Sequence, residues 1–310
     1  MKIITLTLNP AFDVHCYCEN FQPYHESVAC VTAKDVGGKG VNISRALSVN
    51  GTENLAVVIV GKENGAEFCQ ALEKDGLTVH AVSVDGRIRE NITLHEKSNP
   101  ETRISFEGFT CNDNILQQLD QILDKVDKNS IITFTGSIPK GMNVVNVLSF
   151  LEGLRNKGAK IVIDSRSVSL EALMHFKPWL IKPNQDEAQA YTNRKIENAL
   201  DAVDIAQKLY QSGIENVMIS LGGDGAVLAC KEGVFHATTP KINVCSTIGA
   251  GDSMLAGFID ATKKGLDKEN VLRKAVAFGT AACMQEGTLP PQEKDVVYLE
   301  QNILIKKLHD

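Results

Sequence analysis

The segment Thr247-Ile248-Gly249-Ala250-Gly251-Asp252-Ser253 puts small residues just before a carboxylate and the apolar run Met254-Leu255-Ala256-Gly257-Phe258-Ile259. Small side chains let backbone N–H groups approach an anion, and the positive end of a following helix adds to the attraction. A transferring phosphoryl group builds up charge that such a fixed donor array stabilises. Asp252, in the first helical turn, is placed to accept a proton from an attacking hydroxyl. Taken alone, the same pattern also describes a capped helix after a tight turn, because Asp is common near helix starts.

Three further segments carry similar chemistry. Asp35-Val36-Gly37-Gly38-Lys39-Gly40-Val41-Asn42-Ile43-Ser44-Arg45 is a second glycine cluster opening a helix, now with a lysine. It suits an anionic or polyhydroxylated ligand and lacks the spacing of a Walker A loop; a glycine turn with a solvent lysine is its plain alternative. In Lys182-Pro183-Asn184-Gln185-Asp186-Glu187, Asn184 and Glu187 share one face of a starting helix. Such a pair can hold a hydrated Mg²⁺, which prefers few protein ligands plus waters and phosphate oxygens. An acid at a helix N-terminus explains it equally well. Ser220-Leu221-Gly222-Gly223-Asp224-Gly225-Ala226 joins two strand-like segments; it can approach a nucleotide or serve as a hairpin turn.

These segments need a scaffold, and strand-like and helix-like stretches alternate to supply one. Strands are expected over Ile3 to Leu8, Leu55 to Val60, Ser130 to Thr135, Lys160 to Asp164, Trp179 to Lys182 and Val217 to Ser220. Helices are expected over Val41 to Asn50, Ala66 to Asp75, Ile115 to Val126, Val144 to Lys157 and Leu200 to Ser212. Continuous apolar strands separated by helices indicate an α/β fold with a mostly parallel sheet covered on both faces. Residues 13–35 and 88–109 break the rhythm with short alternating stretches: Ser27 to Thr32, Asn91 to His95 and Thr102 to Phe106. They read as antiparallel strands of a small β-sheet lid inserted at two points of a single domain, residues 1–310. Ile303 to His309 reads as the end of a helix, with Lys306 and Lys307 on a solvated face.

The 310 residues, 43% apolar and 23% charged, allow a large core and a well-solvated surface. A net charge of −6 argues against broad nucleic-acid binding. The eight cysteines are scattered, and Cys16-x-Cys18 has no second ligand pair, so a zinc site is not expected. No apolar run reaches membrane-spanning length and no signal peptide is read at the start, so free thiols in a cytoplasmic protein are expected.

Taken in order, the motifs resemble those of the ribokinase-like (PfkB-type) carbohydrate kinases over nearly the full length. The resemblance rests on Thr7-Leu8-Asn9-Pro10-Ala11-Phe12-Asp13, Gly37-Gly38-Lys39-Gly40, Gly136-Ser137-Ile138-Pro139-Lys140-Gly141, Lys182-Pro183-Asn184-x-x-Glu187 and Gly249-Ala250-Gly251-Asp252. The N-terminal stretch and Arg89-Glu90-Asn91 look most like the branch of 1-phosphofructokinases and tagatose-6-phosphate kinases. Cys245-Ser246-Thr247-Ile248 before the glycines is closer to the former, because the latter often carry Asn-Pro there. The resemblance implies a three-layer α/β/α core with a β-sheet lid. It implies ATP as co-substrate, Mg²⁺, and transfer to a ketose phosphate, fructose 1-phosphate ahead of tagatose 6-phosphate.

It also implies roles for residues. Asp13, near the end of the first strand, would bind sugar hydroxyls. Gly38, Lys39 and Asn42 would line the sugar site, with Lys39 near the phosphate; Arg89 would contact the phosphate from the lid, and Ser105 would belong to the same site. Lys182, Asn184, Ser220, Gly222, Gly225, Thr247 and Gly279 would surround the nucleotide. Asn184 and Glu187 would organise Mg²⁺ through water. Gly249, Ala250 and Gly251 would form the anion hole beside Asp252 as base. Two departures from the branch, Asp164-Ser165-Arg166-Ser167 and Thr102-Arg103-Ile104-Ser105, each add an arginine near the expected mouth. A sugar- or nucleotide-sensing protein without turnover, and a kinase of nucleosides or unphosphorylated sugars, are the rival readings. The exposed face of an inserted sheet needs cover, which a homodimer through the lid would provide.

Overall fold

The computed structural model describes residues 1–96 and 101–309, so positions 97–100 of the expected lid lie outside the described residues. The chain opens with β1 (Lys2–Thr7), leaves the main sheet for β2 (Ala11–Tyr17) and β3 (Cys30–Gly37), and returns through α1 (Lys39–Val49). A βαβ unit follows, of β4 (Leu55–Gly61), α2 (Gly65–Lys74) and β5 (Thr78–Val84); then β6 (Arg89–His95) and β7 (Thr102–Ile104) leave the sheet again. The next stretch holds α3 (Ile115–Ile122), β8 (Ser130–Thr135), α4 (Val144–Asn156), β9 (Lys160–Asp164), α5 (Leu170–Phe176) and β10 (Leu180–Ile181). It continues through α6 (Gln185–Thr192), α7 (Ala199–Gln211) and β11 (Asn216–Ser220). The C-terminal part comprises β12 (Ala226–Cys230), β13 (Gly233–Thr238), α8 (Ala250–Lys263), α9 (Lys268–Ala282), α10 (Glu293–Glu300) and β14 (Leu304–His309).

The main sheet has the order β14-β13-β12-β11-β10-β9-β8-β1-β4-β5. From β5 to β11 the neighbours run parallel, and β12, β13 and β14 are antiparallel additions. Alternation along each strand sends side chains to opposite faces. Ile132 joins a core under α2, α3, α4 and α7, while its neighbour Ile131 joins a second core under α1, α8 and α9. Burial on both sides is why β8, Ser-Ile-Ile-Thr-Phe-Thr, is solvent-free from end to end. The result is the expected three-layer α/β/α core.

The lid is a four-stranded sheet, β3-β2-β6-β7. Two hairpin pairings, β2 with β3 and β6 with β7, are antiparallel, but the central pairing of β2 with β6 is parallel. This corrects the all-antiparallel expectation. Both strands leave the core just beyond the C-terminal ends of parallel strands, β1 and β5, so they start in the same direction. The expected strand at 27–32 lies further along the chain, at β3. Asp13 sits on β2, in the lid, and not at the end of the first strand.

The C-terminal segment is a strand and not the end of a helix. β14 pairs with the edge of β13, Ile305 opposite Ala237. Periodicity over six residues cannot separate the two forms; an edge with unpaired backbone groups can.

Candidate active site

Every motif singled out in the sequence except the lid elements falls at the C-terminal ends of the parallel strands, where open α/β sheets bind ligands. Two helices begin there against each other. α1 starts after Gly38, whose φ of 124° is a left-handed value open to glycine. A Cβ on Gly40 would collide with Thr7 Oγ1 and the Leu6 carbonyl, so only glycine lets α1 start this close to β1. α8 starts after Gly249, at φ 76°. The first-turn N–H groups of both helices have no intrahelical acceptor, so two positive ends face one space.

Asp252 lies in the first turn of α8, 7% exposed. Asn42 Nδ2 of α1 donates to its Oδ2 at 2.8 Å, tying the two helix starts together. Burial pushes the Asp252 carboxyl up to about 6, a push that Asp164 adds to and that Lys39, Asn42 and Lys182 oppose. A carboxylate with that affinity is a better proton acceptor than a solvated aspartate and is still ionised at neutral pH.

Lys39 Nζ donates to Asp164 Oδ1 at 3.0 Å, and Lys182 Nζ lies 3.5 Å from Asp164 Oδ2. Asp164 and Lys182 are both buried. Burial opposes the charge on Asp164, but Lys182 and Lys39 outweigh it and hold the carboxyl below the usual range. Burial likewise opposes the charge on Lys39, yet Asp164 and then Asp252 keep its ammonium above the usual lysine range. A Cβ on Gly251 would stand 3.1 Å from Lys182 Nζ, so glycine there leaves room for the ammonium beside the anion site. Lys182 thus stands at the start of α8, between Asp164 and Gly251. Asp164 joins these two lysines, and motif reading gave it no role: its strand was expected, but nothing in sequence distance shows that residues 39 and 182 meet on it.

A cavity of about 820 Å³ runs from this anion site toward β11. Asn184, Ser220, Gly222, Thr247, Gly251 and Gly279 line it. A Cβ on Gly279 of α9 would come within 3.2 Å of the Ala250 carbonyl and of Met254. Gly225 is not part of the lining. Its φ of 91° and a backbone that passes against the Ala237 carbonyl make it a structural turn residue. A second cavity of about 760 Å³ opens under the lid, and Thr247 lines both.

Asn184 caps α6, its Oδ1 accepting from Glu187 N at 2.8 Å, while Glu187 Oε2 accepts from Asn184 N at 3.1 Å. Glu187 Oε1 also accepts from Arg166 Nε at 2.8 Å. The capping box is therefore real, and it leaves the pair suited to a metal held through water rather than by direct bonds. Asp164 Oδ2, buried and 3.5 Å from Lys182 Nζ, faces the same corner.

On the lid, Asp13 is 6% exposed, and its Oδ1 accepts from Asn91 Nδ2 at 3.1 Å and from Arg103 Nη2 at 3.0 Å. Arg89 directs Nη1 to the Phe106 carbonyl at 3.0 Å, Nη2 to the Asn9 carbonyl at 3.3 Å and Nε to the Pro10 carbonyl at 3.4 Å. Asn9 also donates to Ser137 Oγ at 3.1 Å, joining the strand-end loop to Gly136–Gly141. Ser105 is exposed, just beyond β7.

An anion site between two helix starts, a buried aspartate inside it, a long cavity on one side and a polar lid on the other define a phosphotransferase of the sugar-kinase type. Residues 9–295 match the pfkB family carbohydrate kinases, and the chain belongs to that family. It is 30% identical to a 1-phosphofructokinase of Vibrio cholerae over 99% of this chain and 98% of that one. It is 33% identical to a 1-phosphofructokinase of Haemophilus influenzae, covering 92% of this chain and 91% of that one. The fold matches phosphofructokinase-2 of Escherichia coli, solved with substrates and products, with a TM-score of 0.90 and 27% identity over 97% of this chain and 99% of that one.

No helix among the described residues is long and apolar enough to cross a membrane, and the eight cysteines are free thiols.

Proposed function

We propose that the protein transfers the γ-phosphoryl group of ATP to a hydroxyl of fructose 1-phosphate, giving fructose 1,6-bisphosphate. The observation that carries the reading is the meeting of Asp252 and Lys39 at two helix starts, facing a lid that presents Asp13 and arginines. The names of the relatives support the same acceptor.

ATP lies in the cavity toward β11, with its terminal phosphate at the start of α8. The acceptor lies between α1 and the lid, its hydroxyls on Asp13 and Asn42. The attacking hydroxyl donates its proton to Asp252 as its oxygen forms the new bond to phosphorus, and the bond to the ADP oxygen breaks. The proton remains on Asp252 until product leaves. The amides of Gly251 and Asp252, with Lys39 and Lys182, hold the negative charge of the transferring group. Asn184 and Glu187 would hold Mg²⁺ through water, and the ion would supply charge neutralisation at phosphate oxygens. Lid closure excludes water that would otherwise accept the phosphoryl group. The lid's apolar exposure at Val31, Ile104 and Phe106 supports a homodimer through this sheet.

ADP release, followed with fructose 1-phosphate, tagatose 6-phosphate and fructose 6-phosphate, tests the reading. We expect the highest kcat/KM with fructose 1-phosphate. No release above the ATP-only background with any of the three would refute it and favour a sensing role.

A further inference from the structure

Asp13 presents a physical problem. It is a buried carboxylate in the place proposed for sugar hydroxyls, and an unpaired buried charge is strongly unfavourable. Asn91 meets one of its oxygens at 3.1 Å, and Arg103 meets the same oxygen at 3.0 Å. Arg103 sits on β7, opposite Thr93 of β6, and Asn91 lies two residues back on that strand. The three side chains therefore share one face of the lid. The Arg103 side chain keeps 40% of its surface exposed, whereas the Asp13 side chain keeps 8%.

Arg89, the lid arginine that motif reading favours for phosphate, is engaged differently. Each of its three nitrogens donates to a backbone carbonyl, of Asn9, Pro10 or Phe106. Those bonds span the β1–β2 connection and the segment after β7, so Arg89 holds the base of the lid together. Its fork is partly spent before any ligand arrives.

We infer that Arg103 is the residue by which this protein selects a phosphorylated acceptor. In the free protein its guanidinium neutralises Asp13. When the acceptor binds, sugar hydroxyls donate to Asp13 and take over that carboxylate. Arg103 is then released and pairs with the acceptor's own phosphate, for which a planar fork is the best match among side chains. A phosphosugar therefore brings both halves of the exchange: donors for the acid and an anion for the base. An unphosphorylated sugar brings only the first and leaves Arg103 without a partner. Discrimination of this kind comes from the unmet group as much as from the new contact.

The inference rests on the proposed function, because it presupposes an anionic acceptor. The test measures steady-state kinetics of the wild type, Arg103→Ala and Arg103→Lys with ATP and with fructose 1-phosphate or fructose. Titration calorimetry of fructose 1-phosphate without nucleotide runs alongside. Melting curves establish that each variant is folded; the site is exposed on an edge strand, so folding is expected to survive. Arg103→Ala should raise KM and Kd for fructose 1-phosphate by about tenfold or more, the usual scale for a lost charged hydrogen bond. KM for ATP should stay within about twofold, and kcat/KM for fructose should hold or rise. Arg103→Lys, with charge but no fork, should fall between.

A fructose 1-phosphate KM unchanged in Arg103→Ala would overturn the inference and leave the proposed function standing. Equal losses with fructose 1-phosphate and fructose would also overturn it, showing that Arg103 only supports Asp13. A wild type that phosphorylates fructose but no phosphorylated ketose would remove both readings together.

Discussion

Replacing Asp252 with Asn should make the protein more stable and nearly inactive, and the two effects should follow pH in a linked way. Burial raises the Asp252 carboxyl to about 6 from the ordinary aspartate value of 3.8. That difference of about two units corresponds to roughly 3 kcal/mol of folding free energy at neutral pH. The sign follows from which state holds the proton. A carboxyl whose folded value is raised contributes its full stability below about pH 4, loses it as pH rises toward 6, and above 6 leaves a buried charge. Asn has the shape of the protonated acid and carries no such charge. Asp252→Asn should therefore be more stable by up to about 3 kcal/mol at pH 7.5, or roughly 4 °C in Tm for a chain of this length. At pH 5 the gain should shrink to about half. Meanwhile kcat should fall by about 10²-fold or more, as for the loss of a general base, with ATP binding little changed. In the wild type, kcat/KM should drop about tenfold per pH unit below about 6. Scanning calorimetry at both pH values, with a pH–rate profile for the wild type, makes the check. A pH-independent Tm difference, or a flat wild-type profile from pH 5 to 7.5, would refute the assignment of Asp252 as a buried base, and turnover near normal would do so alone.

Asp164→Asn removes a charge that helps raise Asp252 and releases Lys39, which lowers it; both changes act in one direction. The acidic limb of the kcat/KM profile should move to lower pH, and an unmoved limb would show that Asp164 is only structural. Val31→Asp on the lid should convert a dimer to monomer in light scattering at micromolar concentration, and a wild type that is already monomeric would refute lid pairing. Gly225→Ala should destabilise the protein by about 2 kcal/mol or more, because the new Cβ meets the Ala237 carbonyl at a positive φ; an unchanged Tm would mean that the turn relaxes freely.

Local and global signals agree through most of the core, which is why the layers are legible in the sequence. Ser130–Thr135 and Lys160–Asp164 stand where their apolar runs end, since a strand buried on both faces advertises itself by composition. Glycines at 38 and 249 were legible for a different reason: a helix that starts on an anion site needs backbone freedom there, and few other residues supply it. What could not be read was pairing across the chain. The direction of β6 relative to β2 depends on where each strand leaves the core, and the fate of residues 304–309 on an open edge some seventy residues earlier. Asp164 shows the same limit at the level of chemistry. Its neighbours in space are Lys39 and Lys182, so its role exists only once β9, β10 and α1 are side by side. Arg103 shows it for specificity. As a sequence position it is one charge out of place; beside Asp13 it becomes half of an ion pair. The two helix starts that carry Lys39 and Asp252 are built from local glycine motifs and are legible in one dimension. The lid face around Asp13 is built from contacts between distant strands, so the meeting of Asp13 with Asn91 and Arg103 shows only once those strands are paired.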